Sequence, residues 1–142
     1  MLGYKMFEPK TPYLAVDGVV RLWEGERFKG IVLIERRYEP LGYALPGGFV
    51  EVGETVEKAV LREVKEETGL DAQIVKLLGV YSEPNRDPRF HVVSVVFVLD
   101  AYGEPKGGDD AKKAVVFPIE DLPFDKIVFD HAKILKDFLR CP

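Results

Sequence analysis

The chain has 142 residues, 46% of them hydrophobic and 31% charged, with a formal net charge of -4. That length suits one domain, residues 1–142, able to bury a core without disulfides or a structural metal. The negative balance offers no positive field to gather nucleic acid phosphates, so a nucleic-acid role is excluded from the expectations. The longest nearly apolar run, Val92 to Leu99, is too short for a bilayer, and MLGYKMFEPK has no signal-peptide core. One cysteine, Cys141, cannot form an internal disulfide, so a cytoplasmic location is expected. Asn85 and Gln73 are the only amides beside many Glu, Lys and Arg, a composition that points to a heat-adapted source.

From Pro12 the sequence alternates as a strand through Trp23, with Asp17-Gly18 reading as a turn or bulge. GIVLIERR predicts a second strand, and YEPLGYALPGG reads as loop. A helix is predicted from Thr55 to Thr68, stopped by Gly69. Strands are predicted at AQIVKLLGVY, FHVVSVVFVLDAY and AVVFPI, separated by the loops SEPNRDPR and GEPKGGDDAKK. A last helix runs from Asp130, its N-cap, to Leu139. Strands outnumber helices, which favours an α+β or mixed-sheet sandwich.

The Thr55 helix carries the strongest chemical signal. At 100° per residue Val56, Ala59 and Val60 share a sector, and the same sector continues into Glu63, Glu66 and Glu67. Clustered carboxylates repel one another and would take up protons when partly buried, whereas a hard divalent cation such as Mg²⁺ or Mn²⁺ accepts their oxygens. The competing reading is a solvated face with pairs such as Arg62 to Glu66. That reading leaves unexplained Leu45-Pro46-Gly47-Gly48 just before the helix, where paired glycines let the backbone approach a ligand.

Gly48, Glu54, Arg62, Glu63, Glu66, Glu67, Gly69 and Leu70, at these spacings, resemble the 23-residue box of the Nudix family, hydrolases of nucleoside diphosphates linked to another group. The resemblance implies an α/β/α sandwich with a central mixed sheet and a box folded as loop, helix and loop. It implies that Glu63, Glu66 and Glu67 hold the divalent ion, with the Gly47 carbonyl and Glu54 in or near the same shell. Arg62 would orient a glutamate by a salt bridge. The general base is left open between a box glutamate and the later Asp109 and Asp110, which also read as an ordinary polar turn.

Pro84, fifteen residues after Gly69, together with GDDA at 108–111 and FDHAKIL at 129–135, resembles the ADP-ribose pyrophosphatase branch. Arg86 and Arg89, or Arg36 and Arg37, suit phosphate oxygens, although for any single arginine surface solubility is the favoured reading. Gly48 and Pro84 complete the expected substrate contacts. Adenine is expected to stack on Phe49, Tyr43 or Tyr81, and His91 and His131 read as structural.

The leading expectation is Mg²⁺-dependent hydrolysis of ADP-ribose. Hydrolysis of oxidised nucleoside triphosphates or of dinucleoside polyphosphates is the enzymatic alternative. An ADP-ribose sensor is the non-enzymatic one, disfavoured because no winged helix fits before Pro142. A homodimer contacting through Met1 to Tyr13 is a further expectation.

Overall fold

The computed structural model describes residues 8–107 and 111–141. Their order is β1 (Tyr13–Glu24), β2 (Arg27–Arg36), β3 (Tyr43–Ala44), β4 (Gly47–Phe49), α1 (Val56–Thr68), β5 (Ala72–Tyr81), β6 (Val92–Tyr102), β7 (Ala111–Phe117), two 3-10 turns at Ile119–Asp121 and Phe124–Lys126, and α2 (His131–Arg140). One seven-stranded sheet runs β3-β2-β1-β6-β5, with β4 added to β1 and β7 to β2. β1 and β6 are parallel, while the other strand pairs are antiparallel, so the sheet is mixed.

Alternation along the central strands builds a core on each face of the sheet. Val16, Val20, Leu22, Val32, Phe97, Leu99 and Ala101 pack with Ala59, Val60 and Val64 of α1. Val19, Ile31, Leu33, Val96 and Val98 pack on the opposite face with Ile134, Leu135 and Phe138 of α2. The α/β/α sandwich expected from the sequence is therefore present.

Several local expectations change. Asp17-Gly18 is no turn: β1 runs unbroken through both, and its irregularity falls at Leu22/Trp23. Gly18 is needed for packing, since a Cβ there would lie 2.8 Å from the Leu99 Cδ1 and 3.4 Å from Val64. The loop before α1 contains β3 and β4, too short and too rich in glycine and proline to show an alternating pattern. β7 begins at Ala111, inside the predicted loop, because pairing with β2 overrides its polar start. Asp130 occupies the N-cap position of α2 without capping it. Its carboxylate instead receives both arms of Arg86, at 2.9 and 2.6 Å.

Candidate active site

The phase of α1 is set by its two ends. The Thr55 hydroxyl accepts from the Lys58 N–H at 3.1 Å, and Gly69, at φ 74°, turns the chain away while its N–H reaches the Lys65 carbonyl. With both ends fixed, Val60, Val64 and Thr68 are fully buried. The apolar stripe therefore continues along the helix and does not give way to carboxylates. Glu63 and Glu67 lie on the neighbouring strip and face a cavity, and Glu66 stands at its rim. The Glu63 side chain is 14% exposed against 58% for Glu66, so the three glutamates are not equivalent.

Arg62 ties the helix to the loop before it. Its Nε and Nη2 donate to the two Glu54 oxygens at 2.7 and 3.0 Å, Nη1 donates to Glu63 at 2.7 Å, and Nη2 also reaches the Phe49 carbonyl at 3.1 Å. Glu66 is a looser partner at 3.4 Å. The hydrogen bonds from Arg62 hold the Glu54 carboxyl well below its usual range, at about 2.

Pairing of β4 with β1 sets Gly47 beside Asp17 and Gly48 beside Val16. The Gly47 N–H donates to Glu67 Oε1 at 2.7 Å. Added Cβ atoms would collide on both glycines: at Gly47 with Asp17 Oδ1 and the Val16 carbonyl, both at 2.2 Å, and at Gly48 with the Glu63 carboxyl at 2.6 to 2.7 Å. These glycines let the backbone pass between a buried aspartate and the helix glutamates.

The cavity has a volume of about 790 Å³, within the range of small-molecule sites. Arg36, Arg37, Arg86, Arg89 and Phe129 line the same cavity as the glutamates. Arg86 is an internal tie, with a side chain 4% exposed, paired to Asp130 and hydrogen-bonded to the Val92 carbonyl. Its guanidinium is thus already paired with a carboxylate. Arg89 is clamped by Asp87 through Nε at 3.0 Å and Nη2 at 2.8 Å. Pro84 is exposed and does not line the cavity; it opens the turn in which the Arg86 N–H meets the Glu83 carbonyl. Of the three candidate stacking aromatics only Phe49 lines the cavity, since Tyr43 packs edge-on against Phe117 and the Tyr81 hydroxyl donates to Asp137. His91 is a surface residue whose Nε2 lies 3.0 Å from the Ser82 carbonyl. Asp109 and Asp110 lie outside the described residues.

Asp17, Asp87, Ser94 and Phe129 were not singled out from the sequence. Asp17 does leave a signal, a charge in the apolar stretch Leu14 to Val20, although Asp17-Gly18 by itself reads as a turn or bulge. In the fold it is buried, accepts from the Ser94 hydroxyl at 2.5 Å, and lies 3.6 Å from His131 Nε2. The Leu45 N–H donates to His131 Nδ1 at 2.9 Å, which places the ring proton on Nε2 toward Asp17.

The NUDIX domain family matches residues 12–138. The chain belongs to the Nudix family. An ADP-ribose pyrophosphatase of Methanocaldococcus jannaschii is 55% identical over 132 residues, covering 91% of this chain and 74% of that protein. A putative ADP-ribose pyrophosphatase of Bacillus subtilis, YjhB, is 28% identical over 89% of this chain and 71% of its own length. A MutT/nudix family protein from Enterococcus faecalis superposes with a TM-score of 0.80 at 32% identity, over 98% of this chain and 66% of that one. The NUDIX domain of Shewanella oneidensis NrtR, solved with ADP ribose, superposes with a TM-score of 0.84 at 23% identity, over 98% and 96% of the two chains, and shows the shared fold.

In this Nudix site the electrostatics test whether a cation belongs. Among the described residues no three acidic, histidine or cysteine side chains already converge as a ligand set. Glu63 is held by Arg62 and Glu67 by the Gly47 N–H. The donors nonetheless suit a hard ion. Burial pushes Glu67 up to about 8, reinforced by Glu63 and Asp17 and opposed by the Gly47 hydrogen bond. Burial also raises Glu63 against the pull of Arg62, and lifts Asp17 to about 7 despite its Ser94 hydrogen bond. Mutually repelling, half-buried oxygen donors beside a glycine strand are the setting that a divalent cation relieves.

The same shifts dictate a pH dependence. Raised carboxylates bind more protons folded than unfolded, so their contribution is complete below the unfolded value and is lost as pH climbs through the folded one. For Asp17 and Glu67 that decline ends near 7 and 8. His131, buried and lowered to about 3, acts oppositely: its contribution is present above 6.5 and lost as pH falls. The metal-free protein should therefore show a falling thermal midpoint between about pH 6.5 and 8, with Mg²⁺ restoring most at the alkaline end. A midpoint that rises over this interval would contradict the assigned shifts.

Proposed function

We propose that this Nudix hydrolase splits ADP-ribose into AMP and ribose 5-phosphate with the help of a divalent ion, Mg²⁺ or Mn²⁺. The observation that carries the reading is the 55% identity, over 91% of this chain, to a relative named ADP-ribose pyrophosphatase. The cavity agrees in chemistry: glutamates and guanidinium groups line it together, a combination that suits a diphosphate held by metal and arginine.

Glu63, Glu66 and Glu67, with the Gly47 carbonyl and Glu54 beside them, would hold the ion. Bound there, it supplies the positive charge that polarises the phosphate oxygens and makes an attacking water more acidic. Glu67 keeps its orientation through the Gly47 N–H, and Arg62 braces Glu63 against Glu54. Arg36 and Arg37 face the phosphates, while Phe49 offers its ring to the base. Water adds to one phosphorus as the bridging oxygen leaves with the other, and the proton lost by the water is taken by a box glutamate or by Asp109 or Asp110.

We also infer a cytoplasmic, heat-adapted protein that forms a homodimer. Among the described residues no helix is long and apolar enough to cross a membrane. The thermal scans described above test heat adaptation directly, since a midpoint in the ordinary mesophile range would count against it. Incubation with ADP-ribose should yield AMP and ribose 5-phosphate in equal amounts with Mg²⁺ and nothing with excess chelator. Equal rates with and without chelator would remove the metal from the reading.

A further inference from the structure

Phe129 is the only described non-glycine residue with positive φ, at 59°. A side chain in that conformation costs about 1 to 2 kcal/mol, which a glycine would not incur. Core packing does not account for it, because Phe129 belongs to neither hydrophobic cluster. Its ring faces the cavity, with the Arg36 Cζ at 4.9 Å and the Arg89 Cζ at 5.5 Å from the centroid.

The two guanidinium groups differ in what else holds them. Arg89 is neutralised by Asp87. Arg36 donates to the Pro40 carbonyl at 2.8 Å and the Glu39 carbonyl at 3.3 Å, and among the described residues no carboxylate lies within ion-pair distance of it. Arg36 is thus a cation beside another cation, on the lining of a cavity that also holds the glutamates. Hydrogen bonds to two carbonyls of a loop do not neutralise its charge; Asp87 and Glu67 attract it from beyond ion-pair distance, and the π face of Phe129 adds a direct contact that helps to hold it beside Arg89.

We propose that Phe129 is a positioning residue: its strained backbone presents the ring that holds Arg36 on the cavity wall, where the unmatched guanidinium receives an anionic oxygen of the diphosphate substrate. The inference rests on the reading of the cavity as a diphosphate site. It explains why a phenylalanine stands where a turn alone would favour glycine.

The test compares Phe129→Ala, Phe129→Gly and Phe129→Tyr with the parent protein, alone and combined with Arg36→Met. KM and kcat are measured with ADP-ribose, and its dissociation constant is measured by calorimetry in a Glu67→Gln background with Mg²⁺. Loss of the ring should raise KM and the dissociation constant about tenfold with kcat within about twofold, the size expected from two modest cation–π contacts. Phe129→Tyr should stay near the parent, Phe129→Gly should weaken binding without lowering the thermal midpoint, and Phe129→Ala should add little on top of Arg36→Met.

Unchanged affinity in Phe129→Gly, or full additivity with Arg36→Met, would overturn the proposal. So would a loss seen only as a parallel fall in kcat and thermal midpoint. If the Glu67→Gln protein binds ADP-ribose while the parent fails to cleave it, the hydrolase reading falls and the affinity series still decides the role of Phe129. If no protein in the series binds ADP-ribose, both fall.

Discussion

Glu67→Gln should reduce turnover by about a hundredfold or more while leaving the protein folded. The substitution keeps volume, and the remaining side-chain oxygen can still accept from the Gly47 N–H, which now meets Glu67 at 2.7 Å. What disappears is the negative charge, and with it the oxygen donor proposed for the divalent ion. Stability should move the other way. Burial, Glu63 and Asp17 push the Glu67 carboxyl up to about 8, so ionising it in the metal-free fold is unfavourable. The amide has no such burden, and the alkaline loss of thermal midpoint should become shallower in the variant. Near-native turnover would remove Glu67 from the chemistry; a variant that loses activity and structure together would make it a packing residue.

Alanine at the two adjacent glycines should produce different failures. At Gly47 the added Cβ meets the Val16 carbonyl and the buried Asp17, groups held by the pairing of β4 with β1. Neither can retreat without moving a central strand, so Gly47→Ala should cost about 1 to 3 kcal/mol of stability as well as activity. At Gly48 the obstacle is the end of the Glu63 side chain, which can swing away. The fold should survive there, but Glu63 would leave its place beside Arg62, and turnover should fall about tenfold to a hundredfold. Denaturant melts and turnover numbers on the two variants separate these outcomes. Equal losses of stability at both positions would mean that the loop is held by something other than the contacts described here.

The C-terminal end of α1 was legible because capping chemistry is local: Gly69 stops the helix as its type predicts, whereas the cap expected from Asp130 is spent on Arg86. The sequence places Glu63, Glu66 and Glu67 together in the inward sector; in the fold Glu66 is exposed, and the buried Val64 continues the apolar stripe. The fold of residues 38–50 was hidden for a physical reason. β3 and β4 have two and three residues, so no periodicity exists to read, and their pairing depends on strands distant in sequence. The same non-local origin explains the arginines. Nothing near Arg86 in sequence shows that Asp130 will receive it, nor that Arg36 will be left without a carboxylate. Asp17 was misread because an aspartate followed by glycine is a turn signal until a buried serine and histidine arrive from β6 and α2.

The most direct test is product analysis after incubating the protein with Mg²⁺ and, separately, ADP-ribose, NADH, diadenosine tetraphosphate and an oxidised dGTP, with kcat/KM measured for each. The highest kcat/KM is expected for ADP-ribose, with AMP and ribose 5-phosphate released in equal amounts. Faster release of pyrophosphate from the triphosphate would leave the glutamate chemistry standing and contradict the substrate, and binding of ADP-ribose without cleavage would contradict the hydrolase itself.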